Sequence, residues 1–237
     1  MSGTAAALSL AVPAYFHPAV APREWRRLAR LADMLRFVII NVHNGPGETP
    51  EPRYGPAIEA LQAAGIRVIG YVDTDYGSRP PAEVGRDAAT YRDRYGIEGV
   101  FMDQVSDGLD QLDHYAQCVL AVRTVGARFV VLNAGTHPHP GYVDLANVTV
   151  TFEGAWADYL ALSVPEWVHR YPSTRFCHLV HSMPRANFAK GLDLAAGRHV
   201  SSVFLTNGRG ANPWDRVPLR LIGELRRART TAGSVGP

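Results

Sequence analysis

Apolar and polar positions along this chain follow two rhythms that take turns from one end to the other. Short apolar runs of strand length fall at Leu8–Phe16, Leu35–His43, Ile66–Asp73, Gly99–Asp103, Arg128–Asn133, Val148–Glu153, Arg175–His181 and Val200–Thr206. Amphipathic stretches with helical spacing lie between them, at Pro22–Met34, Tyr54–Ala64, Ala82–Tyr95, Leu109–Val125, Gly141–Ala146, Trp156–Arg170, Ala186–Gly197 and Arg216–Ala228. A period of two marks a strand and a period of 3.6 a helix face. Strands alternating with helices imply a parallel sheet, and eight such units predict closure into a single (β/α)₈ TIM barrel rather than an open doubly wound sheet. No linker or low-complexity tract interrupts the series. One barrel domain over residues 1–237 is therefore expected, with short flexible tails near 1–7 and 230–237.

The punctuation agrees with these boundaries. Ala64-Gly65 and Val125-Gly126 place a glycine just past a helix end, where the left-handed conformation is needed. Loops that follow strands are long and rich in Gly, Pro, Asn and Asp, as at Asn44–Pro52, Thr74–Pro81, Gly135–Pro140 and Asn207–Pro213. The returns from helix to strand are mostly short. Barrel enzymes build their sites from the loops after the strand C-termini, so this asymmetry points to the C-terminal mouth.

Side chains alternate between the two faces of a strand. In the sixth strand this predicts Val148, Val150 and Phe152 toward the helices, with Thr149, Thr151 and Glu153 toward the barrel interior. The third strand sends Val68 and Val72 outward and Tyr71 and Asp73 inward. Ile39, Asn41 and His43 share one face of the second strand, and Tyr15 shares a face with His17. Asp103 ends the fourth strand and Gln104 begins the exit from it. Polar residues thus collect at the last inward positions of many strands, and Asp103 and Glu153 are its central carboxylates. Two carboxylates facing each other across a mouth are the equipment of glycoside hydrolysis, one donating a proton and one attacking or activating water. One strand separates theirs, which leaves both the retaining and the inverting spacing open.

Other constellations are weaker. Proline between His137 and His139 gives no ligand geometry, and no metal or other cofactor is expected. Gly45-Pro46-Gly47 and Gly208-Arg209-Gly210 lack the lysine and helix context of a phosphate loop, and no G-x-S-x-G elbow occurs. Tyr15, Tyr76, Trp156 and Trp214 near the mouth are candidates for stacking on sugar rings. The net charge of +2 does not advertise nucleic acid as a partner. No apolar run approaches the roughly 18 residues of a membrane span, and Ala5–Val12 lacks the basic flank of an export signal. A cytoplasmic location is the expectation. Lys190 is the only lysine among 24 basic residues, the bias of a GC-rich bacterial genome. Cys118 and Cys177 fall in element interiors and are read as buried free thiols.

Taken in order, Val38-Ile39-Ile40-Asn41, Asn44-Gly45-Pro46-Gly47 and Val68 to Gly77 (VIGYVDTDYG) resemble the spherulation-specific family 4, the spherulin-4-like proteins. Gly99 to Asp103 (GVFMD), Asn133-Ala134-Gly135-Thr136, Thr151-Phe152-Glu153 and Asn212 to Pro218 (NPWDRVP) extend the resemblance over nearly the whole chain. It implies a (β/α)₈ glycoside hydrolase fold, and relatives that cleave galactosamine-containing microbial exopolysaccharide with acids ending the fourth and sixth strands. By motif those positions are Asp103 and Glu153. The family pattern usually has Asp-Glu where this chain has Asp103-Gln104, and glutamine cannot exchange a proton at neutral pH. Asn41-Val42 and Asn133-Ala134 stand where Asn-Pro is usual, and Asn147 where aspartate is common. Relatives are often secreted or membrane-anchored.

The leading expectation is a glycosidase-type enzyme acting on an amino-sugar-containing glycan or glycoconjugate through Asp103 and Glu153. Gln104, Tyr15, His17, Asn41, His43, Tyr71, Asp73, Tyr76, Asn133, His181, Asn207 and Trp214 are expected to contact or position that small-molecule or oligosaccharide substrate. Two alternatives stand beside it. One is a barrel recruited to biosynthesis, catalysing a cyclisation, elimination or isomerisation of a small metabolite. The other is a carbohydrate-binding relative without catalysis.

Overall fold

A computed structural model describes residues 8–233. Residues 1–7 and 234–237, the outer parts of the two expected tails, lie outside the described residues. Eight parallel strands close in sequence order: β1 (Ser9–Ala14), β2 (Leu35–Ile40), β3 (Val68–Asp73), β4 (Gly99–Asp103), β5 (Phe129–Asn133), β6 (Val148–Ala155), β7 (Phe176–His181) and β8 (Ser202–Leu205). Each is followed by a helix: α1 (Pro22–Ala29), α2 (Tyr54–Ala63), α3 (Pro81–Tyr95), α4 (Leu112–Thr124), α5 (Gly141–Leu145), α6 (Trp156–Ala161), α7 (Phe188–Gly197) and α8 (Leu219–Gly233). The expected (β/α)₈ barrel is the observed architecture. Cys118 and Cys177 are both buried and free.

Several helices depart from their expected bounds: the fourth and seventh begin at Leu112 and Phe188, after 3₁₀ turns at Leu109–Gln111 and Arg185–Asn187, and proline acts at two others. The sixth stops at Ala161, because Pro165 has no N–H to give and holds Val164 away from helical ψ. The chain then restarts as a 3₁₀ segment at Glu166–Arg170. The eighth begins at Leu219, directly after Pro218, and runs through Gly233, so residues 230–233 are helix and not tail. The first ends at Ala29 instead of Met34. One glycine sets how closely a helix can lie on the sheet. A Cβ on Gly70, which faces outward from β3, would sit 2.4 Å from the Tyr91 ring of α3. That ring lies flat on the strand and its hydroxyl donates to the Ile40 carbonyl at 3.0 Å.

The sixth strand corrects the simple alternation. Val148 pairs with Val131 and Val150 with Asn133, whose side chain points into the barrel, so Val148 and Val150 face inward. Thr149 pairs with Phe176, which packs outward on Trp167 and Tyr171. The register then slips between Val150 and Phe152, so that Thr151 and Phe152 together oppose His178. This β-bulge reverses the parity: Phe152 faces the helices and Glu153, opposite Leu179, faces the interior. Thr149 and Thr151 therefore do not share the face of Glu153.

The register also buries the Thr149 hydroxyl completely, with no hydrogen-bond partner. A buried hydroxyl without a partner is destabilising, and valine has nearly its shape. Thr149→Val is expected to raise unfolding stability by about 1 kcal/mol. A urea titration would show this as a higher midpoint at unchanged slope, and an unchanged or lower midpoint would contradict it.

Candidate active site

The mouth is built from strand ends. Asp103 ends β4 in register with Asp73 of β3, while Asn133 ends β5 and Glu153 follows the bulge in β6. The Asn133 side-chain amide lies between the two carboxylates. Its Nδ2 donates to Asp103 Oδ1 and to Glu153 Oε2, each at 2.6 Å. Two oxygens that share one nitrogen at this distance are no more than about 5 Å apart, close to the roughly 5–5.5 Å of a retaining glycosidase and short of the inverting range. The amide is itself oriented, because Asn133 Oδ1 accepts the Gly135 N–H at 3.1 Å.

The electrostatics separate the two acids. Glu153 is pushed up to about 7, mainly by burial and next by the charge of Asp103, against the opposing pull of the Asn133 amide. Asp103 is also raised by burial, but three donors favour its ionised form: the Asn133 amide, the Gln104 backbone N–H and the Tyr71 hydroxyl. Glu153 thus holds a proton near neutrality, beside a better-solvated Asp103. This is the division of labour expected of an acid and an anion working as a pair.

A cavity of about 120 Å³ opens above the pair. Tyr15, Phe101 and Leu179 form its walls, and the Ala211–Trp214 stretch of the loop after β8 covers it. Tyr71 sits edge-on to Tyr15 at 5.9 Å and stacks on Phe101 at 6.4 Å. The Asn41 side-chain amide donates to the Tyr15 hydroxyl oxygen, and Asn41 Oδ1 accepts the Gly45 N–H at 2.9 Å. Trp214 lines the cavity with its ring packed against His181 and Phe204. Tyr15, Asn41, Tyr71, Asn133, His181 and Trp214 are therefore gathered at or directly behind the two acids.

Other candidates fall elsewhere. His17 and His43 share a side depression with Glu48 and Glu51, and the His17 ring packs on Tyr54. Asp73 faces a larger neighbouring depression with His43, Arg79 and Arg94, and its Oδ1 accepts the Asp75 N–H at 2.8 Å. Tyr76 is 64% exposed on the rim, in a left-handed conformation with φ 50°. Gln104, also left-handed at φ 53°, acts through its backbone, whose carbonyl accepts from the Tyr76 N–H and the Thr74 hydroxyl. Asn207 lies outside the central cavity, in a depression with Arg27, Arg185, Arg216 and Arg220. Of these six, Asp73 stands beside Asp103 at the end of the neighbouring strand with its side chain turned to the outer depression, and the other five lie on chain that has already turned away from the acids.

Asn212 was not among the candidates, yet it lines the cavity. Its Nδ2 donates to the Tyr15 carbonyl at 2.9 Å, and its Oδ1 accepts the Trp214 N–H at 3.1 Å. An asparagine directly before proline in a loop is the available signal, since its side chain favours such turns. Among the described residues no group of three metal-ligating side chains gathers. No helix among them is long and apolar enough to cross a membrane.

Known proteins resemble this chain in sequence and fold. Spherulin-4 of Physarum polycephalum is 32% identical over 171 residues, 70% of this chain, which spans about half the length of that relative. Sph3 of Aspergillus clavatus, in a crystal structure with GalNAc, superimposes with a TM-score of 0.80 at 24% identity, covering 93% of this chain and 97% of its own. A chitinase from Chromobacterium violaceum shares the fold at TM-score 0.58 and 10% identity, over 97% of this chain and all of its own. The family model for spherulation-specific family 4 matches residues 9–224, and the chain belongs to that family.

Proposed function

We propose that this protein hydrolyses a glycosidic bond in an amino-sugar-containing glycan or glycoconjugate. The observation that carries this reading is the Asn133 amide held at 2.6 Å from both Asp103 and Glu153, with Glu153 raised to about 7. Family membership and the GalNAc bound to the related Sph3 support the sugar class.

In this reading Glu153 gives its proton to the glycosidic oxygen as that bond breaks. Asp103, ionised, attacks the anomeric carbon and forms a glycosyl ester. Glu153, now a carboxylate, takes a proton from water, whose oxygen displaces Asp103 and regenerates both groups. The short separation of the acids favours this two-step course with retention over direct inversion. Gln104 takes no proton in it; its backbone N–H holds Asp103.

The test is to incubate the purified protein with oligosaccharides of galactosamine and N-acetylgalactosamine, following new reducing ends by mass spectrometry and their anomeric form by NMR. Retained configuration is expected, and neither cleavage nor binding would remove the proposal. Because Glu153 must start protonated, kcat is expected to fall as pH rises through about 7, while the acid limb lies lower, where Asp103 takes up a proton. A rate unchanged from pH 6 to 9 would exclude Glu153 as the acid. The small covered cavity favours a second reading, proton transfer on a small metabolite. Binding of such compounds without oligosaccharide cleavage would select it.

A further inference from the structure

Glu153 faces Asp103 only because of the bulge before it. Val148 and Val150 point inward, so an unbroken alternation would put Phe152 inside and Glu153 against the helices. An extra residue in a parallel ladder leaves backbone groups unpaired and needs something to hold it. What lies behind this one is a buried, hydrogen-bonded polar chain. Thr151 Oγ1 is 3.1 Å from His178 Nε2, and His178 Nδ1 is 3.0 Å from the Tyr159 hydroxyl of α6. The Phe152 ring packs on Tyr159 at 4.9 Å and on His178 at 6.0 Å, and the Arg198 guanidinium covers the Tyr159 ring at 4.4 Å. His178 has no solvent exposure. A leucine would fill such a place without needing two hydrogen-bond partners, so packing alone does not account for an imidazole there.

The geometry points to His178 as a positioning residue: through the Thr151 hydroxyl it holds the β6 bulge that turns Glu153 from the helix layer into the barrel. Burial and the neighbouring His137 and Arg198 hold His178 neutral, so the tie does not depend on its titration. The functional consequence rests on Glu153 being the proton donor proposed above; the orientation of Glu153 does not.

The test separates these two. Melting temperatures of the wild type and of Glu153→Gln are compared from pH 4.5 to 8.5, where their difference reports on Glu153 and its coupling to Asp103. Asp103 of β4 and the Asn133 amide of β5 face Glu153 and set its titration together with burial, and Tyr15, just past the end of β1, and Cys177 of β7 are the other titratable groups near it. The comparison is then repeated in Thr151→Val and in His178→Leu. In both backgrounds the pH-dependent difference is expected to shrink by at least about half, and Thr151→Ser is expected to restore it. A full difference in both variants would overturn the inference and leave His178 a packing residue. Thr151→Val nearly conserves shape, so it decides the matter if His178→Leu fails to fold. With a cleavable oligosaccharide, kcat is expected to drop on the order of 10- to 100-fold in Thr151→Val with little change in KM. Were the wild type to cleave nothing, the glycosidase reading would fail while the melting comparison still judged the role of His178.

Discussion

Asp103→Asn and Glu153→Gln are each expected to reduce turnover of an amino-sugar oligosaccharide by about 10³-fold or more, because each removes a group that bonds to or protonates the substrate. Both proteins should fold, and Glu153→Gln should be the more stable one above neutral pH. The wild-type glutamate has its folded pKa at about 7, against an ordinary value of 4.5, so the folded state holds its proton longer than the unfolded chain does. Below pH 4.5 both states are protonated and the substitution gains nothing by this route. Between about 4.5 and 7 the unfolded chain ionises first and wild-type stability falls as pH rises. Above 7 the penalty is complete, on the order of 3 kcal/mol for a shift of this size. Glu153→Gln is thus expected to melt several degrees higher at pH 8 and at nearly the same temperature at pH 4.5. In Asp103→Asn the pH-dependent penalty on Glu153 should shrink, since the Asp103 charge is the second-largest cause of the shift. Near-wild-type kcat in either variant would take that residue out of the mechanism. Equal melting curves at pH 8 would show that Glu153 is not held as described.

The barrel was legible because its signal repeats. Eight runs, each weak alone, all imply parallel strands, and the glycines and prolines between them mark where each element ends. Helix ends were less legible: the break at Pro165 and the late start after Pro218 depend on single imino acids inside a continuing amphipathic pattern. The carboxylates were reached by counting residues along strands. For Asp103 the count is right, since β4 carries no irregularity. For Glu153 two departures cancel: β6 starts on the opposite face from the one its valines and threonines suggest, and the bulge at Thr151 flips it back. Alternation reads polarity as exposure, and here both faces of the strand are buried, so Val150 and Thr149 do not reveal which way they point. Loop residues were the least legible. Asn207 and Asn212 lie in one loop with similar composition, yet only Asn212 reaches the cavity. A sequence does not carry the path of a loop the way it carries the period of a strand.

Asn133→Ala is expected to cost on the order of 10²- to 10³-fold in kcat, although the residue exchanges no proton. Its amide is the one donor shared by both acids, and alanine leaves two buried carboxylates close together with nothing positive between them. Removing a donor that favours the ionised form raises the pKa of each group. Asp103 would then resist ionisation, so the acid limb of the rate profile should move up. Glu153 would hold its proton to higher pH, so the alkaline limb should move up from about 7 as well. A substrate-binding asparagine predicts a different pattern, a raised KM with both limbs in place. A pH–rate profile of Asn133→Ala beside the wild type separates these outcomes. A shift of both limbs in the same direction, with KM nearly constant, is the result expected if Asn133 serves mainly to hold the protonated Glu153 and the ionised Asp103 together at one glycosidic bond.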